Sequence, residues 1–176
     1  NGFPRSLAYD NANDRLYVAE QSLGQVEIFN NASTAGRSVG ATIQYPGLPP
    51  LFQEAREARS CCYDPAADRL FLVVGPDGLG SPGRVDVYDN ASSLAGLIDG
   101  NSGAADRSIS AGLSEPHDLF YESTTRRLYV RNTDSGTFEP QVLIYNNADT
   151  TNNPPSVAII PGFLTGLQGG SIGVVV

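Results

Sequence analysis

Lysine, methionine and tryptophan are missing from this chain of 176 residues, histidine occurs once, and the two cysteines sit side by side as Cys61 and Cys62. Without lysine, all eleven bases are arginines, set against 19 acids for a net charge of −8. A chain of that balance repels phosphate backbones, which excludes nucleic acid as an expected partner. The missing methionine means that Asn1 is not a translation start, so the expectation is a chain processed or excised from something longer. Two adjacent cysteines exclude the multi-bridge framework of small secreted domains. Neighbouring strand residues point to opposite faces, so both thiols read as small buried hydrophobes, the alternative being a vicinal disulfide with unusual local backbone. Long hydrophobic runs are also missing. The longest, residues 70–74 and 173–176, are strand-length, far short of the ~20 residues of a membrane helix, so no membrane span is expected.

What is present is repetition. Leu7-Ala8-Tyr9-Asp10, Asp14-Arg15-Leu16-Tyr17-Val18 and Gly24-Gln25-Val26-Glu27-Ile28-Phe29-Asn30-Asn31-Ala32-Ser33 form a first copy. Cys61-Cys62-Tyr63-Asp64, Asp68-Arg69-Leu70-Phe71-Leu72 and Gly83-Arg84-Val85-Asp86-Val87-Tyr88-Asp89-Asn90-Ala91-Ser92 form a second. Leu119-Phe120-Tyr121-Glu122, Arg126-Arg127-Leu128-Tyr129-Val130 and Pro140-Gln141-Val142-Leu143-Ile144-Tyr145-Asn146-Asn147-Ala148-Asp149 form a third. Equivalent positions Arg5, Arg59, His117 and Gly170 lie 54, 58 and 53 residues apart, the period of a repeat architecture.

Each copy predicts four short strands; in the first they are residues 5–10, 15–20, 25–30 and 37–44. The first two strands are near-continuous apolar runs, which implies burial on both faces, whereas the third alternates, so exposure is expected to rise outward. The Asp-rich segments 10–14 and 64–68, and 122–126, are turns; none has the ligand spacing of a calcium loop. Asn31-Ala32-Ser33 and Asn90-Ala91-Ser92 match the glycosylation pattern, but they occupy one repeat position where Asn and Ser make a turn. After those turns the copies diverge, with residues 96–105 reading as an insertion before the fourth strand of the second copy.

Stacked four-stranded antiparallel sheets at a fixed period are the pattern of a β-propeller, an all-β fold. The blades are expected at about 3–45, 57–114 and 115–161, with the inner strand of a fourth at 170–176, all in one domain. The pattern Asn-Asp-Arg-Leu-Tyr-Val-Ala, followed by Gly-x-Val-x-Ile-Phe-Asn-Asn-Ala-Ser, resembles the repeats of NHL-type bacterial propellers over nearly the whole chain. That resemblance implies a six-bladed ring and an exported protein, extracellular or periplasmic. Three blades cannot close a ring of ~4–8. Either the array continues in a longer chain, which the strand at 171–176 favours, or two chains form a homodimer of half-propellers.

In an up-and-down sheet the links between blades and the second-to-third loops share one face. Those loops, residues 21–24, 75–83 and 132–140, vary in length, as binding surfaces on rigid scaffolds do. The inner strands begin at the same face with Arg5, Arg59, and His117 beside Asp118. Two guanidiniums and an imidazole there suit an anion, a carboxylate or a sugar acid. The competing arrangement pairs Arg5 and Arg59 with Glu57 and Glu115, and His117 with Asp118. Glu115, His117 and Asp118 are the only His-plus-carboxylate cluster, and no Gly-x-Ser-x-Gly elbow is present. The reading is a non-catalytic scaffold that presents loops to a protein or glycan, with no cofactor. Alternatives are a metal-dependent lactonase-like hydrolase centred near His117, and a structural module of a surface filament or large extracellular protein.

Overall fold

The computed structural model describes residues 3–34, 38–44, 57–78, 80–94, 96–99 and 105–161. The strand expected at 170–176 and most of the 45–58 link lie outside them. The first copy folds into β1 (Pro4–Asp10), β2 (Arg15–Glu20), β3 (Gln25–Asn30) and β4 (Ser38–Gln44). The second supplies β5 (Ala58–Asp64), β6 (Arg69–Val74), β7 (Arg84–Asp89), β8 (Gly96–Asp99) and β9 (Arg107–Ile109). The third forms β10 (Glu115–Glu122), β11 (Arg127–Thr133), β12 (Pro140–Asn146) and β13 (Ser156–Pro161). Each sheet is an antiparallel meander in chain order, except that β8 leaves its own blade. It pairs in parallel with β4, from Ala41 opposite Gly96 to Gln44 opposite Asp99. The first residues of the supposed insertion are therefore a strap from the second blade to the outer edge of the first.

Turn chemistry holds the meanders in register. The carboxylate of Asp10 accepts the N–H groups of Ala12 and Asn13, and that of Asp64 accepts the N–H of Ala66. Asp14, Asp68 and Arg126 close these turns with positive φ, as do Asn31, Asn90 and Asn147 in the next turn. The two turns are tied together. Asp14 accepts from the N–H and hydroxyl of Ser33, and Asp68 from those of Ser92. The third copy exchanges the partners, with Arg126 donating to Asp149. The Asn-Ala-Ser segments are thus half of a lock between hairpins.

Two apolar cores lie between the blades. Tyr17, Ala19, Val26 and Ile28 meet Cys61, Leu70, Leu72 and Val74 in the first, while Phe71, Val73 and Val85 meet Leu119, Leu128 and Val130 in the second. The cysteines divide between them, Cys61 in the first and Cys62 against the second, and both are free. Burial pushes the Cys61 thiol up to about 12 and Cys62 well above its ordinary range.

Burial on both faces of the inner strands holds only for the middle blade. In β1, Leu7 is 64% and Tyr9 46% exposed, because they point away from the second blade and nothing described stacks behind them. Exposure follows a blade's place in the stack as much as a strand's place in the sheet. All of Val85 to Tyr88 in β7 is buried.

Candidate functional site

The inner strand of every blade slips by one residue against its neighbour at the same place. Pro4 pairs with Glu20 and Ser6 with Ala19; Ala58 pairs with Val74 and Ser60 with Val73; Pro116 pairs with Asn132 and Asp118 with Arg131. The extra residues are Arg5, Arg59 and His117. A β-bulge leaves its residue out of the ladder and re-aims the side chain, and bulges are enriched beside binding sites. The three positions that differ between copies are therefore the three that the backbone sets free.

A continuous chain of polar contacts runs through them. Arg5 Nε donates to Gln21 Oε1, and Gln21 Nε2 donates to Glu57 Oε1 at 2.7 Å. Arg59 Nε donates to Glu57 Oε2 at 2.6 Å and its Nη1 to the Pro116 carbonyl at 3.1 Å, with Glu115 at 3.9 Å. That same Nη1 lies 3.4 Å from His117 Nδ1, and His117 Nε2 lies 3.1 Å from Thr133 Oγ1. Since a guanidinium only donates, Nδ1 is the accepting nitrogen and Nε2 carries the proton toward Thr133. A second row lies one residue on: Ser6 Oγ accepts from the Cys61 N–H, and Ser60 Oγ donates to Asp118 Oδ1 at 2.6 Å.

The electrostatics follow from these partners. Burial raises Glu57, but the donors Gln21 and Arg59 outweigh it and hold the carboxyl below its usual range. Burial, then the charges of Arg59 and Arg131, hold His117 below its ordinary 6.5, so the ring is neutral at pH 7. Arg59 does pair with Glu57 and Glu115, whereas Arg5 meets an amide instead of an acid. His117 and Asp118 do not satisfy each other: successive strand residues diverge, one toward Thr133 and the other toward Ser60. Among the described residues no three His, Cys, Asp or Glu side chains are grouped to hold a metal ion.

Beside the first bulge, a cavity of about 450 Å³ is lined by Phe3, Pro4, Arg5, Gln21, Ser22 and Glu57. Farther along this face the two long loops meet the link at Ser114, whose carbonyl accepts from the Gly83 N–H and whose hydroxyl contacts Ser135. Asp134 orders the second loop by accepting from the Gly136 and Thr137 N–H groups. At its tip Phe138 is 79% exposed with φ +58°, an unusual backbone for a bulky residue. Sequence reasoning missed Gln21, Phe3 and Phe138. Gln21 opens the first of the variable loops, but only the cross-blade geometry shows that it bridges Arg5 and Glu57.

No family model matches this chain, and no curated protein does. Among solved structures, the chain is similar to Kuenenia stuttgartiensis hydrazine synthase, with TM-score 0.62 and 13% identity over 90% of this chain and 37% of that one. It is also similar to a chain of a nidogen/laminin complex, with TM-score 0.54 and 12% identity over 90% of this chain and 49% of that one. The chain spans less than half the length of either. At such identity the likeness concerns fold alone: this is an all-β chain of stacked antiparallel sheets like those of propeller-containing proteins.

Proposed function

We propose that the chain is a non-catalytic propeller scaffold whose loop face binds a hydroxyl-rich ligand, a glycan, at the cavity beside the first bulge. The cavity beside Arg5 carries this reading. Its charged groups are already spoken for by one another through Gln21, so what remains is neutral hydrogen-bonding surface next to an aromatic ring, Phe3, that is 70% exposed. Rings of that kind cover the apolar faces of sugars while amide and hydroxyl groups take their hydroxyls. Phe138, held on an ordered loop of the same face, supports it as a second contact. Export is carried by the NHL-type resemblance alone.

Screening immobilised glycans against the chain tests this. Binding is expected, with Phe3→Ala and Gln21→Ala each weakening it by ~10-fold or more and His117→Ala leaving it unchanged. Absence of glycan binding, or binding indifferent to both substitutions, overturns it.

A further inference from the structure

Among the described residues, eight other than glycine hold a positive φ. Six are Asp or Asn, whose short polar side chains tolerate the left-handed region, and Arg126 is held there by Asp149. The eighth is Phe138, a bulky aromatic for which that backbone is strained. The first two second-to-third loops meet the same need with glycine, at Gly24 in one and at Gly78 and Gly80 in the other.

Packing does not offset that strain. Phe138 is 79% exposed and belongs to neither core. It is fixed all the same. Its N–H donates to the Asp134 carbonyl at 2.8 Å, the Asp134 N–H donates to the Glu139 carbonyl at 3.0 Å, and the Asp134 carboxylate gathers the Gly136 and Thr137 N–H groups. Ser135 Oγ lies 3.2 Å from Ser114 Oγ, which anchors the loop to the link before the third blade. Binding, not folding, accounts for an exposed aromatic ring that a tight turn holds in a strained backbone.

The place of the ring indicates what it binds. Thr133, at the root of this loop, is the last member of the polar row that starts at Arg5 and passes through Gln21, Glu57, Arg59 and His117. Phe3 stands at the other end of the row and is 70% exposed. Its N–H donates to Ser22 Oγ and its carbonyl accepts from the Gln21 N–H, so it too is fixed to a second-to-third loop. The row therefore has an exposed, fixed phenylalanine at each end, one on the first blade and one on the third. Packed sheets lie ~10 Å apart, which puts the two rings on the order of 20 Å from each other. A single sugar cannot touch both.

We propose that the loop face binds an oligosaccharide that runs from the first blade to the third, one unit stacked on Phe3 and another on Phe138. This rests on the glycan reading above and adds to it the length of the ligand. Between the rings the sugar chain passes over groups that already satisfy one another, so the two aromatic contacts dominate its affinity. Joining them in one ligand makes the second contact intramolecular, and affinity climbs once the sugar chain is long enough to reach.

Neutral oligosaccharide ladders of the glucan, mannan and chitin types, from about one unit to ten, test this by titration calorimetry against the full chain. Affinity for at least one ladder is expected to rise ~30-fold or more between the shortest members bound and those that reach both rings. Phe138→Ala should abolish that rise and leave the short members bound as before, whereas Phe3→Ala should weaken every length. Phe138→Asn, which suits the left-handed backbone, should raise Tm by ~2–4 °C and lose the rise as well. Short and long members bound equally, or a rise that survives Phe138→Ala, overturns the inference and leaves the glycan reading standing. So does Phe138→Asn without a gain in Tm, since the ring would then be serving the fold. If no ladder binds, this inference falls, and the screen of immobilised glycans decides the glycan reading separately.

Discussion

Asp68 shows how much structure one carboxylate carries. It stands in the left-handed region at the end of a hairpin, accepts from the N–H and hydroxyl of Ser92, and receives the Tyr63 hydroxyl at 2.9 Å. Burial opposes its ionisation, but the Ser92 and Tyr63 donors hold it below the ordinary 3.8. Ser92→Ala should therefore lower unfolding stability by ~1 kcal/mol, read from urea denaturation. Asp14 and Asp89 are lowered as well, chiefly by Ser33 and by Arg107. Acids that ionise more readily in the folded chain leave the unfolded chain holding more protons. Their stabilisation is complete above 3.8 and is lost as pH falls below it through the folded values. Denaturation midpoints should decline on that acid limb, less steeply in Asp68→Asn. His117 adds an earlier decline: a base lowered by folding loses stability as pH falls below 6.5, and His117→Gln should remove that part. The thiols make a further residue-scale test. Burial keeps both protonated, so a thiol reagent should find neither in the native chain and both on unfolding.

Among the elements, the bulges matter more than the strands that carry them. A bulge adds one residue without changing the side that later residues face, and it frees Arg5, Arg59 and His117 from their ladders. The 75–83 loop approaches the third blade closely at its end. A methyl group at Gly83 would stand 2.3 Å from Pro116 Cδ and 2.8 Å from the Val74 carbonyl. Both obstacles are backbone or a rigid ring, so neither yields easily. Gly83→Ala should lower stability by about 1–3 kcal/mol, measurable as a fall in Tm. It should also disturb Arg59, whose Nη1 bonds the Pro116 carbonyl.

At the level of the whole molecule, stability is concentrated where a blade has neighbours on both sides. Phe71 is fully buried and stacks on Tyr121, so Phe71→Ala should lower stability by about 3–5 kcal/mol. Leu7 occupies the inner strand of the first blade yet is 64% exposed; Leu7→Ala should change unfolding stability by less than ~0.5 kcal/mol. Comparing the two substitutions by denaturation measures how much a neighbouring blade adds to the worth of an apolar side chain.

The repeat, the strands and the turns were legible in the residues alone, because period, alternation and Asp-Asn turn chemistry are local and recur three times. The variable positions Arg5, Arg59 and His117 were legible for the same reason, as departures from a repeating background. Tertiary structure decided what those side chains do. Whether Arg5 meets an acid or Gln21, or His117 turns to Asp118 or to Thr133, depends on bulges and on distances across blades that no local pattern encodes. It also decided that Leu7 and Tyr9 are exposed while their equivalents Cys61 and Tyr63 pack into the first core. Identical repeat positions differ there only because one blade has a neighbour and the other, among the described residues, does not.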